Sequence, residues 1–425
     1  MLSIKYIREN IKEVQDSLLK RQSTFDVDQL LDFDVKRREY LKEVENLRAK
    51  RNMVTSEIAE LKKNGNDASK QIESMKIVSD NIKNIENNLN KIEQKIANDI
   101  YYIPNLVNSS VPDGKNEVNN IVIKEWGNKP TFNFTLRDHV EIGQLLELFD
   151  FKRAGKISGS SFPMYTGAGA QLERSLINFM LDFHVENHGY QELFPSFLAN
   201  RQSMQNTGQL PKFENDMYSI DGDDLFCIPT AEVPITNYHQ GEVISSDLLP
   251  YKYMAYSACF RREAGSYGKD TKGLSRLHQF NKVELVKFAH PEKSYEELEL
   301  LVKDAEAILQ ALGLHYRIIE LCSGDLSFSA AKCYDLEVWS PADEKYLEVS
   351  SCSNFEDFQA RRGNIRFRNN LTGKQELIHT LNGSGVATPR LMIALLETYQ
   401  KKDGSVELPS VLHPYIKKEI IPLAI

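Results

Sequence analysis

Several features that most readily place a protein are missing from this chain. No apolar run reaches the roughly eighteen residues of a membrane span, and the opening MLSIKYIREN lacks the apolar stretch of a secretory leader. A cytoplasmic protein with no membrane partner is therefore expected. The five cysteines, Cys227, Cys259, Cys322, Cys333 and Cys352, stand far apart without a CxxC pair, which argues against a disulfide framework or a zinc knuckle and for reduced thiols. Positive charge is not in excess. The formal net charge is −8, so a nucleic acid would have to be met by a local patch. A strand-borne GxGxxG and a GxxxxGK[ST] loop are both absent, and the two commonest nucleotide folds lose support.

What is present suits a chain of two or more folded domains, with 41 % hydrophobic and 26 % charged residues. Over residues 40–61 the positions Tyr40, Val44, Leu47, Val54, Ile58 and Leu61 follow four-three spacing, with Arg51 interrupting one of them. NGND at residues 64–67 breaks the pattern, and Met75, Val78, Ile82, Ile85, Leu89, Ile92 and Ile96 resume it. Two heptad helices joined by a Gly-containing turn predict an antiparallel coiled-coil hairpin, either a spacer or dimerisation element or a binding arm. SSVPDGKNEVNN at residues 109–120 reads as a linker, giving domains 1–108 and 109–425. Beyond it, β-rich runs such as NKVELVKFA, YDLEVWSP and KYLEVSSCSN alternate with amphipathic helices without a βαβ rhythm. That pattern predicts an α+β domain with an antiparallel sheet flanked by helices.

Four motifs carry chemistry. FRREAGSYGKDTKGLSRLHQF, residues 260–280, holds Arg261 and Glu263 two apart, so on an extended strand they share a side while Arg262 faces the other. A guanidinium can grip a phosphate and a carboxylate can accept from an amino group such as adenine's, although a cross-strand salt bridge explains the pair equally simply. On a strand, Arg276, Phe280, Lys282 and Glu284 would share one face and offer a base-stacking ring among charges, or only a core aromatic. TAEVPITN, residues 230–237, presents Thr230 and Glu232 to a small ligand's ammonium or hydroxyl, or forms a buried pair in a turn before Pro234. In LEVSSCSN, residues 347–354, Glu348 and Ser350 point one way and Ser351 the other unless a bulge intervenes. One carboxylate with hydroxyls is a plausible Mg²⁺ seat, and equally a solvated strand end. LNGSGVATPRLMIALLETYQ, residues 381–400, offers Gly383 and Gly385 for close backbone approach and Arg390 near a helix start, where an anion would be held. No Ser/His/Asp or Cys/His set stands out among the nine histidines, and the inventory fits nucleotidyl transfer by positioning and electrostatics.

TAEVP, FRREAGSYGKDTKG and HTLNGSG together, with TGQLPKFE, GAQLERSLINFML, ELFPSFL and LPSVLHPYI, closely resemble the seryl-tRNA synthetases, a class II family, along the whole chain. The resemblance implies a serine pocket of Thr230, Ala231, Glu232, Glu284 and Ser384. It implies an ATP site of Arg261, Arg262, Glu263, Phe280, Arg390 and the run Glu348, Val349, Ser350, Ser351, with Arg261, Glu263 and Arg390 as the catalytic groups and Glu348 and Ser351 on Mg²⁺. It further implies a homodimer, serylation of tRNA(Ser) with ATP, tRNA(Sec) as a second acceptor where that RNA exists, no zinc, and a hairpin that contacts tRNA. The middle of the basic run, Lys269, Lys272 and Arg276 around Gly268 and Gly273, is expected to be a mobile loop closing over ATP and the tRNA end. Ser161, Pro163, Phe355 and Ala387 depart from the family's usual residues, and none of them is among the assigned site positions. Two rival readings are a synthetase-like ligase that loads a carrier protein, against which the hairpin argues, and a non-catalytic protein with a degenerate synthetase domain.

Overall fold

The computed structural model describes residues 1–263 and 272–423 and divides into two units, Met1–Leu19 with Ser23–Pro104, and Lys20–Gln22 with Asn105–Ile425. The first carries helix α1 (Ile4–Glu9), most of α2 (Ile11–Lys20), and two long helices, α3 (Val27–Lys63) and α4 (Ser69–Asp99), that pack on each other. Asp26 caps α3 by accepting from the Gln29 N–H at 2.9 Å, Gly65 turns the chain at φ +71°, and Asp67 accepts from the Ser69 N–H to open α4. Of the predicted seam, Val44, Val54, Val78, Ile82, Leu89 and Ile96 are buried, and Arg51 is half-buried at the interrupting position. Each fully buried aliphatic side chain contributes about 1.5–3 kcal/mol. Helix α3 begins thirteen residues before the periodic stretch read from the sequence, at Val27 rather than Tyr40. The inward position there is Asp34, fully buried and bonded to Arg8 at 2.8 Å and Arg38 at 3.2 Å, so a charge stands where periodicity looks for an apolar residue.

The second unit is built on an eight-stranded sheet. In chain order its strands are β1 (Ile121–Trp126), β2 (Gln191–Glu192), β3 (Tyr251–Phe260), β4 (Gln279–Ala289), β5 (Tyr316–Glu320), β6 (Lys332–Ser340), β7 (Lys345–Asn354) and β8 (His379–Ala387). In space they run β1-β5-β6-β7-β8-β4-β3-β2, antiparallel throughout except that the short β2 joins the edge parallel to β3. Helices α5 (Gly167–His188), α7 (Ser294–Ala311) and α8 (Thr388–Tyr399) pack against one face, while α6 (Glu232–Asn237) belongs to the other. Strand period sorts the side chains. On β4, Val283 and Leu285 join the large core under the helices, and Phe280, Lys282 and Glu284 point the other way, into a cavity. The α+β architecture agrees with the sequence reading, and KYLEVSSCSN coincides with β7 from end to end.

Candidate functional site

The cavity on the open face of the sheet has a volume of about 680 Å³, and all its described walls belong to the second unit. Its floor is the centre of the sheet, where β4, β8 and β7 lie side by side and place Glu284 directly opposite Ser384. One wall is the turn entering α6, and the other is the start of α8.

At the floor, the carboxylate of Glu284 is wholly buried, accepts from Asn382 Nδ2 at 2.9 Å and forms an ion pair with Lys282. Thr230 and Glu232 line the adjoining wall. Both are buried, as one of the two readings had it, but Pro234 lies within a short helix that Glu232 begins, and the Glu232 N–H donates to Thr230 Oγ1 at 3.2 Å. Ala231 lies behind them in the core and does not line the cavity. Gln359 Nε2 donates to Glu232 Oε1 at 2.6 Å, and Gln359 is held in turn by Thr380 Oγ1 at 2.7 Å. Burial pushes the Glu232 carboxyl up to about 7, and the negative charge of Glu284 adds to the rise. Two facing carboxylates with a hydroxyl and an amide between them can grip a small ligand through its ammonium and hydroxyl.

Arg261 and Glu263 both line the cavity, but the strand geometry expected for them does not hold. β3 ends at Phe260 and Glu263 adopts a left-handed φ of +51°, so the shared side does not come from strand alternation. Arg262 is outside the lining, its N–H donating to the Asp216 carbonyl at 3.1 Å. The Arg261 guanidinium sits 5.2 Å from the centre of the Phe280 ring, so cation and stacking surface are adjacent. Arg276 precedes β4 and thus cannot share its strand face, yet it lines the cavity through an ion pair with Glu263 at 2.9 Å.

The loop expected to be mobile divides. Gly268 and Lys269 lie outside the described residues. Residues 272–277 are docked: Lys272 pairs with Asp138, Leu274 and Leu277 are buried, and Gly273, at φ +58°, packs so closely that a Cβ would stand 2.2 Å from His139 Nε2.

On β7 the conditional bulge is present. The register with β6 steps from Ser350 opposite Leu336 to Glu348 opposite Glu337, which leaves Val349 unpaired. Glu348 and Ser351 consequently face the cavity together with Val349, whereas Ser350 turns away and donates to the Ser384 carbonyl at 2.6 Å. Arg390, in the first turn of α8, reaches the Glu348 carbonyl at 2.8 Å and its carboxylate at 3.4 Å. One carboxylate and one hydroxyl on a wall otherwise supplied with cations fit a hard divalent ion that takes its remaining oxygens from phosphates and water. Gly383 and Gly385 serve another end than the one expected. A Cβ on Gly383 would meet Cys352 Sγ at 2.8 Å, and one on Gly385 would meet His184 Nε2 at 3.0 Å, so both are small to admit the packing behind the sheet. Phe355 and Ala387, which were not among the assigned site positions, line the cavity.

Asn382 and Gln359 are polar groups that motif reading passed over, and Lys282, read on the same face as Glu284, proves to be its ion-pair partner. The signal for Lys282 was its two-residue spacing from Glu284, whereas Gln359 lies 127 residues from Glu232 and leaves none.

The profile of the seryl-tRNA synthetase N-terminal domain matches residues 1–107, and that of the class II tRNA synthetase core domain (G, H, P, S and T) matches 212–399. A serine–tRNA ligase of Chloroherpeton thalassium is 53 % identical over 99 % of this chain and 100 % of its own, and one from Chlorobaculum parvum is likewise 53 % identical over 99 % and 100 %. The crystal structure of the seryl-tRNA synthetase of Pyrococcus horikoshii, complexed with ATP, superposes with a TM-score of 0.94 at 36 % identity, covering all of both chains.

Proposed function

The chain belongs to the seryl-tRNA synthetase family, and from that premise we propose how its cavity performs the two steps of serine transfer. It is an ATP-dependent serine–tRNA ligase. Thr230, Glu232, Glu284 and Ser384 form the serine pocket, with Ala231 as its packed backing. Phe280 stacks on the adenine, Glu263 accepts from its amino group, and Arg261 and Arg390 hold the phosphates. Val349 lines the ATP segment between Glu348 and Ser351, and Arg262 and Ser350 complete it from behind through the backbone. Glu348 and Ser351 would hold Mg²⁺, which supplies charge neutralisation to the phosphate oxygens when bound.

Serine's carboxylate oxygen attacks the α-phosphorus of ATP in line, the bond to the pyrophosphate oxygen breaks, and seryl-adenylate remains. A ribose hydroxyl of the tRNA end then attacks the seryl carbonyl, and AMP leaves. Arg261 lies beside both the serine wall and the Phe280 ring, so one guanidinium can orient the attacking carboxylate and offset charge on the α-phosphate. Alanine is rejected because its loss of the hydroxyl would strand buried polar groups.

The observation that carries this reading is the opposition of Glu284 and Ser384 between Glu232 on one side and Arg261 with Phe280 on the other. The carrier-protein alternative is not favoured, since the likeness runs through residues 1–107, and we assign the hairpin of α3 and α4 to tRNA. The protein acts as a homodimer in the cytoplasm, and the exposed Ile121, Val122 and Ile123 of edge strand β1 support association. Among the described residues no helix is long and apolar enough to cross a membrane. Purified protein with serine, ATP and Mg²⁺ should catalyse serine-dependent pyrophosphate exchange and charge tRNA(Ser). Failure of both overturns the assignment.

A further inference from the structure

Past Glu232 the cavity continues into a lobe walled by Thr207, Gln209, Phe213, Phe328 and Phe355, none of which has a part in the two ligand sites above. Cations gather at this lobe. Arg21 donates to the carbonyls of Ser327, at 3.0 Å, and Ala330, so it is fixed to the loop that carries Phe328. Lys212 Nζ stands 4.8 Å from the centre of the Phe328 ring and 5.6 Å from that of Phe213, and the Arg362 guanidinium lies 5.6 Å from the Phe328 centre on its own approach. Neither Arg21 nor Lys212 has a carboxylate partner among the described residues, and Arg21 Nε is shielded from solvent without a hydrogen bond. Arg21 and Lys212 are thus two neighbouring cations that no carboxylate among the described residues offsets, and their mutual repulsion is unfavourable unless an anion joins them. The Lys212 ammonium already registers the strain: partial burial, and then Arg21, hold its pKa below the usual lysine range.

We propose that this lobe, with Lys212 at its exposed rim and Arg21 behind, is the entry for the unpaired 3′ end of the RNA substrate, Lys212 contacting a backbone phosphate and Phe213 offering a face to a base. The inference rests on the ligase reading. A ribose hydroxyl must reach the seryl carbonyl from outside, and the side of the cavity toward Phe280 and Arg390 is taken by ATP. A half-buried aromatic beside cations is the surface single-stranded RNA prefers, stacking for the base and charge for the phosphate. The ATP phosphates already have Arg261 and Arg390, so a second cation set, beside Phe213 and Phe328, serves a second polyanion.

Lys212 is exposed, so Lys212→Glu should fold; circular dichroism checks this. In the full-length enzyme it should raise KM for tRNA about tenfold or more, the cost of one lost phosphate contact plus repulsion, while serine-dependent pyrophosphate exchange changes less than about twofold. Lys212→Ala should flatten the dependence of log KM on log salt by about 0.7, one single-strand contact. Both variants should bind tRNA trimmed of its unpaired 3′ nucleotides as well as the parent protein does. Equal losses in exchange and charging would overturn the proposal in favour of an ATP or pyrophosphate site; unchanged charging, or weakened binding of trimmed tRNA, would overturn it too. Absence of exchange in the parent protein would instead overturn the ligase reading itself.

Discussion

In the hairpin of α3 and α4, Asp34 is the one buried charge among the described residues, and the other charges stay at the surface: Arg37 meets Glu93 at 2.9 Å and Arg48 meets Glu86 at 2.7 Å, with every partner about a third exposed or more, while a thin aliphatic seam holds the helices. In the second unit Lys282, Glu284, Glu232, Lys287 and Glu173 are all buried, and Lys287 is fully enclosed between Glu297 and Asp304. Burying charge is costly unless each group is paired. The hairpin can therefore vary its polar residues at little expense, whereas the sheet unit carries a standing cost that only its ligands and its pairing offset.

The contrast breaks most visibly at Glu284. Replacing it by Ala removes both the serine contact and the partner of Lys282, leaving a buried cation unpaired at a cost of about 3–5 kcal/mol. Serine-dependent pyrophosphate exchange should fall by about three orders of magnitude, some 4 kcal/mol at 1.4 kcal/mol per decade. Circular dichroism and denaturation separate lost activity from lost fold, and unchanged exchange kinetics would remove Glu284 from the pocket. Leu89→Ala makes the matching cut in the hairpin, where a buried aliphatic is lost and about 2–4 kcal/mol of helix-pair stability should go with it. Hydrogen exchange along α3 and α4 should quicken, and pyrophosphate exchange should persist. Loss of both together would show that the units fold as one.

The two units also differ in how far their sequences disclosed them. A two-helix hairpin is written in spacing alone, because each seam residue finds its partner across one turn, and only Asp34 hid the true start of α3. In the sheet β4, β6 and β7 were visible in the same way, whereas β3 (YKYMAYSACF) was not read as a strand. The site was legible as residue types but not as geometry. Glu348 and Ser351 share the cavity only because Val349 bulges, Arg261 and Glu263 share it beyond the end of β3 with Glu263 at a positive φ, and neither departure has a pattern in the residues themselves. Gly383 was misread because a glycine that admits a ligand and one that admits Cys352 look the same in a sequence.

Glu232 gives a smaller, pH-dependent contrast. Its carboxyl titrates near 7 in the ligand-free cavity because burial and Glu284 disfavour the charge, while serine's ammonium favours it. KM for serine should therefore rise as pH falls below about 7, approaching tenfold per unit. Stability runs the opposite way. A carboxyl whose folded pKa lies above its ordinary 4.5 binds protons on folding, so its contribution is complete below about 4.5 and is lost as pH rises through about 7. Titration of the ligand-free protein and its Glu232→Gln variant checks both signs. A KM that is flat between pH 6 and 8 would place the serine ammonium elsewhere.

The smallest effect belongs to the hairpin's surface. Arg48 is 54 % and Glu86 38 % exposed, so their ion pair gains little Coulomb energy in high dielectric and must immobilise two long side chains. Arg48→Ala should cost about 0.2–1 kcal/mol in hairpin stability, and the loss should vanish at high salt, where the Debye length shrinks to about 3 Å. A double-mutant cycle with Glu86→Ala isolates the pair itself. If the coupling exceeds about 1.5 kcal/mol or survives in 1 M salt, the two units do not differ in the way their burial implies, because a surface pair would then act as an interior one.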